Sequence, residues 1–136
     1  MARESVEQQQ VCAVPYRLRD DRMEFCLVAT EVNSRWEFPH APLEDDSSAA
    51  EEACRCAREQ TGMACKLALK QPLDDVSATQ DRQFVRLVAF LVETGSTTKK
   101  EAGRRIRWCL PEEARARIRR KPMRRLIDLA LKQKPG

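Results

Sequence analysis

The sequence is poor in the residues on which much catalytic chemistry depends. His40 is its single histidine in 136 residues, so a Ser-His-Asp or Cys-His nucleophile would rest on that residue, and no nucleophile-elbow pattern accompanies it. The six cysteines, at 12, 26, 54, 56, 65 and 109, include no C-x-x-C pair, which removes a dithiol redox motif and a zinc knuckle. Cys54 and Cys56 would stand about 160° apart on a helix and cannot share one metal. Free, buried thiols in a reducing compartment are expected. No segment reaches the roughly 20 apolar residues of a membrane span. The polar opening MARESVEQQQ has neither the apolar stretch nor the cleavage pattern of a secretory signal, so a cytoplasmic protein without membrane partners is expected. There is no internal repeat or low-complexity tract. No aromatic residue falls between Arg115 and Lys134, which argues against a base-stacking surface there.

What remains is an ordinary globular composition, 34% charged and 42% hydrophobic, at the size of one domain. Residues 1–8 read as a polar tail and 9–136 as a single domain with a basic C-terminal helical region. From Lys99 onward there are 14 Lys and Arg against 4 Asp and Glu; residues 1–98 hold 11 basic and 17 acidic residues. The run RARIRRKPMRR could track the phosphates of a polyphosphorylated ligand or of nucleic acid. A solvated outer helix face is the favoured alternative.

Patterning divides the chain into alternating elements. Gln9 to Leu18 and Met23 to Thr30 read as strands joined by a polar hairpin turn, Arg19 to Arg22. Pro15 marks the first as an edge strand or a bulged one. Ala64 to Leu73 reads as a strand, Asp74 to Asp81 as a loop, and Gln83 to Glu93 as the strongest strand of all. Gly95 to Lys100 reads as a turn-forming linker, and Arg104 to Leu110 as the last strand. Pro111, with Glu112 and Glu113, opens a helix. A final helix from Met123 shows Met123, Leu126, Ile127 and Ala130 at i, i+3, i+4, i+7 spacing. Helices on both faces of a mixed sheet give an α/β/α sandwich.

The stretch organising the chain is Trp36 to Met63, WEFPHAPLEDDSSAAEEACRCAREQTGM: a short strand, a proline-rich acidic loop, then a helix. Ser47 or Ser48 can cap that helix, Glu51 and Glu52 stand in its first turn, and Gly62 ends it. A wheel over Ser48 to Thr61 puts Ala50, Ala53, Cys54 and Ala57 towards the sheet and Glu52, Arg55, Cys56, Glu59 and Gln60 outwards.

These residues resemble the box of the Nudix hydrolases, G-x5-E-x7-R-E-U-x-E-E-x-G-U, where U is aliphatic. WEFPHAP is similar to the family's W-x-x-P-G-G-K, and RCAREQTGM to R-E-U-x-E-E-x-G-U, with the spacing unbroken. Trp108 with LPEEA is similar to the strand-then-helix pattern near the family's C-terminus. The likeness spans roughly residues 9 to 132. VCAVPYRL, RWEFP and RRLIDLAL look more like the branch that includes diadenosine- and diphosphoinositol-polyphosphate hydrolases than like nucleotide-pool-cleaning members. Matched position by position, Arg55 and Gly62 keep the structural positions, and Glu59 is the one box glutamate retained. Ala41, Ser47, Cys56 and Gln60 stand where the box has glycine and three glutamates.

In the family, divalent ions neutralise a diphosphate and activate water for substitution at phosphorus. Mg²⁺ asks for hard oxygen ligands, which a thiol does not supply and an amide supplies only as one neutral oxygen. The resemblance therefore gives Glu59 as a candidate catalytic residue and metal ligand, Glu52 joins it as a carboxylate on the same outward helix face, and Mg²⁺ or Mn²⁺ is a cofactor weakly bound or absent. Taken alone, the two glutamates would be a solvated acidic helix face. Arg35 and His40 are the candidate ligand contacts, with plain solvent exposure the competing role for His40. Three functions follow. First stands a Nudix-fold module with a degraded metal site, binding a nucleotide-like or polyphosphate ligand, or a protein partner, with little or no hydrolysis. Second is a working metal-dependent pyrophosphohydrolase on nucleoside diphosphate derivatives, recruiting Glu44, Glu52, Glu93 or Glu101. Third is a nucleic-acid-associated protein acting through the basic region.

Overall fold

The computed structural model describes residues 8–29, 35–44, 48–80, 83–97 and 105–133. Ser47 and Glu101 lie outside them. In chain order the described elements are β1 (Gln8–Arg19), β2 (Arg22–Ala29), β3 (Trp36–Glu37), β4 (His40–Pro42), α1 (Ala49–Thr61), β5 (Met63–Leu67), β6 (Asp74–Gln80), β7 (Gln83–Thr97), β8 (Ile106–Cys109), α2 (Pro111–Arg117) and α3 (Lys121–Lys132). None of the described helices is long and apolar enough to cross a membrane.

The first hairpin turns at Asp20 and Asp21, both at positive φ (53° and 63°). A two-residue turn in that conformation matches the twist of the flanking strands, and aspartate tolerates it better than most side chains. The sheet runs β3-β2-β1-β7-β5, with β4 also pairing β1, β6 pairing β7, and β8 pairing β2. β1 and β7 are parallel, Gln8 opposite Val85 through Tyr16 opposite Glu93; every other pair is antiparallel. The sheet is therefore mixed, as expected.

Strand alternation sorts the core into two layers. Val11 and Ala13 of β1 and Val88, Phe90 and Val92 of β7 pack against Ala53, Cys54, Cys56 and Ala57 of α1. Cys12, Val14 and Tyr16 with Leu87, Ala89 and Leu91 face the other way, onto Ala114 and Ile118 and onto Met123, Leu126, Ile127 and Ala130 of α3. The result is the α/β/α sandwich. Neither α2 nor α3 has a side-chain cap hydrogen bond, so the buried stripe holds α3 in place. Its three large side chains, fully buried, stabilise by about 2 kcal/mol each before entropy is counted.

Four expectations are corrected. Pro15 does not mark an edge, because β1 lies between β2 and β7. Ala13 N–H donates to Pro39 O and Gln9 O accepts from Leu43, so by the two-residue period the nitrogen of Pro15 points the same way. It meets the gap where β4, paired at Gln10–Cys12, hands over to β2, paired from Tyr16, and no hydrogen bond is lost. Residues 74–80 are a strand, not a loop: DDVSATQ pairs along β7 from Asp74–Ala89 to Gln80–Gln83, its apolar side only thinly populated. The strand expected over Ala64 to Leu73 is shorter, Met63–Leu67. Finally, β7 continues through Gly95 to Thr97; a Cβ at Gly95 would lie 3.4 Å from that of Ala64, so this glycine marks close approach of neighbouring strands rather than a turn.

Candidate functional site

The site is built on α1, and local chemistry sets its ends. Ser48 is the N-cap, its Oγ accepting from the Glu51 N–H at 3.3 Å, and Glu51 and Glu52 complement the helix N-terminus. Gly62 adopts φ 75° and donates its N–H to Arg58 O, the left-handed stop that glycine makes cheaply.

The helix buries Ala53, Cys54 and Ala57 and turns Glu52, Arg55 and Glu59 outward as the wheel gives, but departs from it at two positions. Cys56, expected outwards, is buried at 2% exposure, and Gln60 is half-buried. The physical reason is spacing: Ala53, Cys56, Ala57 and Gln60 stand at i, i+3, i+4, i+7, which is itself one stripe. That stripe meets the sheet. Glu52, Arg55 and Glu59 are left outward, while Ala50 packs, partly buried, against the sheet-side cluster as expected. Burial pushes the Cys56 thiol up to about 12, against a smaller lowering by Arg55, so this group neither ionises at neutral pH nor faces a ligand.

The outward residues form one ion-pair network. Arg55 donates from Nε to both oxygens of Glu52, from Nη2 to its Oε2, and from Nη1 to Glu59 Oε1 at 2.8 Å. The structure thus brings Glu52 and Glu59 together through an arginine between them. The hydrogen bonds from Arg55 hold the Glu52 carboxyl below its ordinary value.

On the sheet side, Gln60 Nε2 donates to the carbonyl oxygen of His40 at 3.0 Å. His40 Nδ1 lies 3.0 Å from Phe38 O, and Nε2 stands 3.7 Å from Glu37 Oε1. Ala41, in the box glycine position, pairs with Val11 in the sheet. Arg35 is exposed just before β3. Glu37 was not singled out in the sequence. It is buried at 8% exposure and pairs with Val28, whose alternation with Leu27 turns both towards the α1 layer. Its only sequence signal is an acid inside the apolar WEFP. The recruits of the hydrolase reading are scattered: Glu44 is exposed beyond β4, and Glu93 lies beside Tyr16, whose hydroxyl it helps to push up after burial. Tyr16 belongs to the layer opposite α1.

These donors do not fit a Mg²⁺ or Mn²⁺ platform. Among the described residues no three His, Cys, Asp or Glu side chains cluster as metal ligands. Cys56 is buried, Gln60 is held through its N–H to His40 and offers only one neutral oxygen, and Glu52 and Glu59 are shared with Arg55. A groove of about 340 Å³ runs along the outer flank of α1, lined by Glu51, Glu52, Cys54, Arg55, Arg58 and Leu67 among others, large enough for a small ligand. His40 does not line it.

No family model matches the chain, and no curated protein matches it by sequence. Its similarity to solved structures is extensive. An Ap4A hydrolase from C. elegans superposes with a TM-score of 0.78 at 14% identity, over 94% of this chain and 98% of that one. A NUDIX hydrolase from Nitrosomonas europaea gives 0.76 at 20% identity, over 95% and 91%. The NUDIX domain of Shewanella oneidensis NrtR, complexed with ADP ribose, gives 0.72 at 15%, over 96% and 90%. With near-complete overlap with these structures, the chain has the Nudix fold.

Proposed function

We propose that this Nudix-fold chain binds a nucleotide-like or polyphosphate ligand and hydrolyses it little or not at all. The observation that carries the reading is the Arg55 fork. The two carboxylates available for a metal share one guanidinium, which offsets one of their two charges, and positions 56 and 60 present a buried thiol and an amide tied through its N–H to His40. Mg²⁺ gives up its water reluctantly, and exposed carboxylates that share a guanidinium offer it little in return. Support for the ligand class comes from the fold neighbours named for Ap4A hydrolysis and complexed with ADP ribose. The six buried free cysteines suit the reducing cytoplasm.

Calorimetric titration with Mg²⁺ and Mn²⁺, then with ADP-ribose and Ap4A with and without metal, tests this reading. Metal-independent binding of either nucleotide is expected, with turnover near background. Losing placed charge stabilisation costs about 10² to 10³ in rate per group. Robust metal-dependent turnover that Glu59→Gln abolishes would overturn it.

A further inference from the structure

Gln60 ends the sheet-facing stripe of α1, and its hydrogen bond reaches back to His40 of β4, 20 residues earlier. The other atom of the same amide, Oε1, is buried with no hydrogen-bond partner among the described residues. That asymmetry fixes which way round the amide sits. Were it flipped, Oε1 would face the His40 carbonyl oxygen at the same separation, acceptor against acceptor.

A carboxylate has the shape of this amide but carries no hydrogen. Placed at position 60, it would set one anionic oxygen against the His40 carbonyl in a corner shielded from water. Two acceptors so close come to rest only with a proton or a cation between them. The amide brings its own hydrogen. We propose that Gln60 is a tethered replacement for a cation: its N–H joins α1 to β4, so this corner of the site keeps its shape without any divalent ion. The inference rests on the reading of the site as one without a working metal centre, and names the residue that makes the centre dispensable. Gln60 is on this account a positioning residue. It acts by holding the His40 backbone, with Glu37 and Phe38 around the imidazole, at a fixed distance from the helix.

The test uses the full chain and two substitutions, Gln60→Glu and Gln60→Met, with thermal unfolding followed in EDTA and across added Mn²⁺ or Mg²⁺. Gln60→Met removes the donor without adding charge. The native protein should unfold at one temperature in EDTA and in excess metal. Gln60→Glu should unfold about 5 °C lower in EDTA and recover as Mn²⁺ is added. Gln60→Met should lose stability and gain none back from metal. If Gln60→Glu does not fold in EDTA, refolding on addition of Mn²⁺ gives the same support, and failure to refold counts against the proposal. Native-like stability of Gln60→Glu in EDTA, a loss that neither ion restores, or an equal metal response from Gln60→Met would each overturn it. A native protein stabilised by Mn²⁺ would instead overturn the reading on which it rests, so the two failures are distinguishable.

Discussion

Arg55 and Glu52, one turn apart on α1, form a forked pair: Nε stands 3.2 Å from each carboxylate oxygen, and Nη2 stands 2.5 Å from Oε2. The pair keeps Glu52 ionised below its ordinary value of 4.5, chiefly through the hydrogen bonds from Arg55. A carboxylate depressed in the folded state adds stability that is present above the unfolded value and is lost as pH falls through the folded one. Exposure of both side chains keeps that contribution small. The measurement is an NMR titration of the Glu52 carboxyl, whose midpoint should rise towards 4.5 in Arg55→Gln. An unmoved midpoint would deny the coupling.

Cys56 gives a second prediction, because its burial at 2% exposure makes it a core residue on a helix that carries the site. Cys56→Ala should cost about 1 kcal/mol in urea unfolding. Cys56→Glu should cost about 3 kcal/mol or more, since it leaves a charge against the sheet. With the thiol pushed up to about 12 by burial, a thiol reagent at pH 8 should modify Cys56 only on unfolding. Equal stabilities for the two variants would place the side chain in solvent.

The close approach of α1 to the sheet depends on alanine. Ala53 and Ala57 are fully buried against β1 and β7, so Ala57→Leu should overpack the interface and cost about 2 kcal/mol. Calorimetric unfolding reads this directly. A neutral or stabilising Ala57→Leu would reveal a void at this contact.

The basic region is partly tied down. Arg107 and Arg117 meet Glu113, Arg115 meets Asp128, and Arg125 meets Asp74, while Arg119 and Lys121 remain exposed. Any nucleic-acid binding should therefore be weak, insensitive to sequence, and steeply salt-dependent, log K falling by about 0.9 per phosphate contacted against log salt. A salt-resistant, sequence-selective complex in a filter-binding assay would contradict it.

Elements with strong local signals were legible in the sequence. The α1 boundaries follow from Ser48 and Gly62, the α3 core stripe from its i, i+3, i+4, i+7 spacing, and the first hairpin from a polar turn between two apolar runs. What escaped was tertiary. β6 carries Asp74, Asp75, Ser77 and Thr79 because β7 supplies its partner, and no local count of apolar residues anticipates that. Pro15 in an inner strand depends on a change of neighbour visible only in the pairing. At the site, the box alignment located the helix, but the aim of its side chains depends on which stripe the sheet selects. Hence the wheel turns Cys56 outwards where the sheet buries it, and no side-chain motif encodes the contact between Gln60 and a backbone oxygen.

The parallel pairing of β1 with β7 also governs how the molecule forms. β1 finds β2 at once through a two-residue turn, but Gln8 to Tyr16 must wait for Val85 to Glu93 before their other edge is covered. A contact map dominated by such distant partners implies folding in milliseconds to seconds rather than microseconds. During synthesis, the N-terminal hairpin leaves the ribosome with an apolar strand edge open until most of the chain has followed. Fragments ending before β7 should consequently aggregate, while fragments that include it cover that edge of β1.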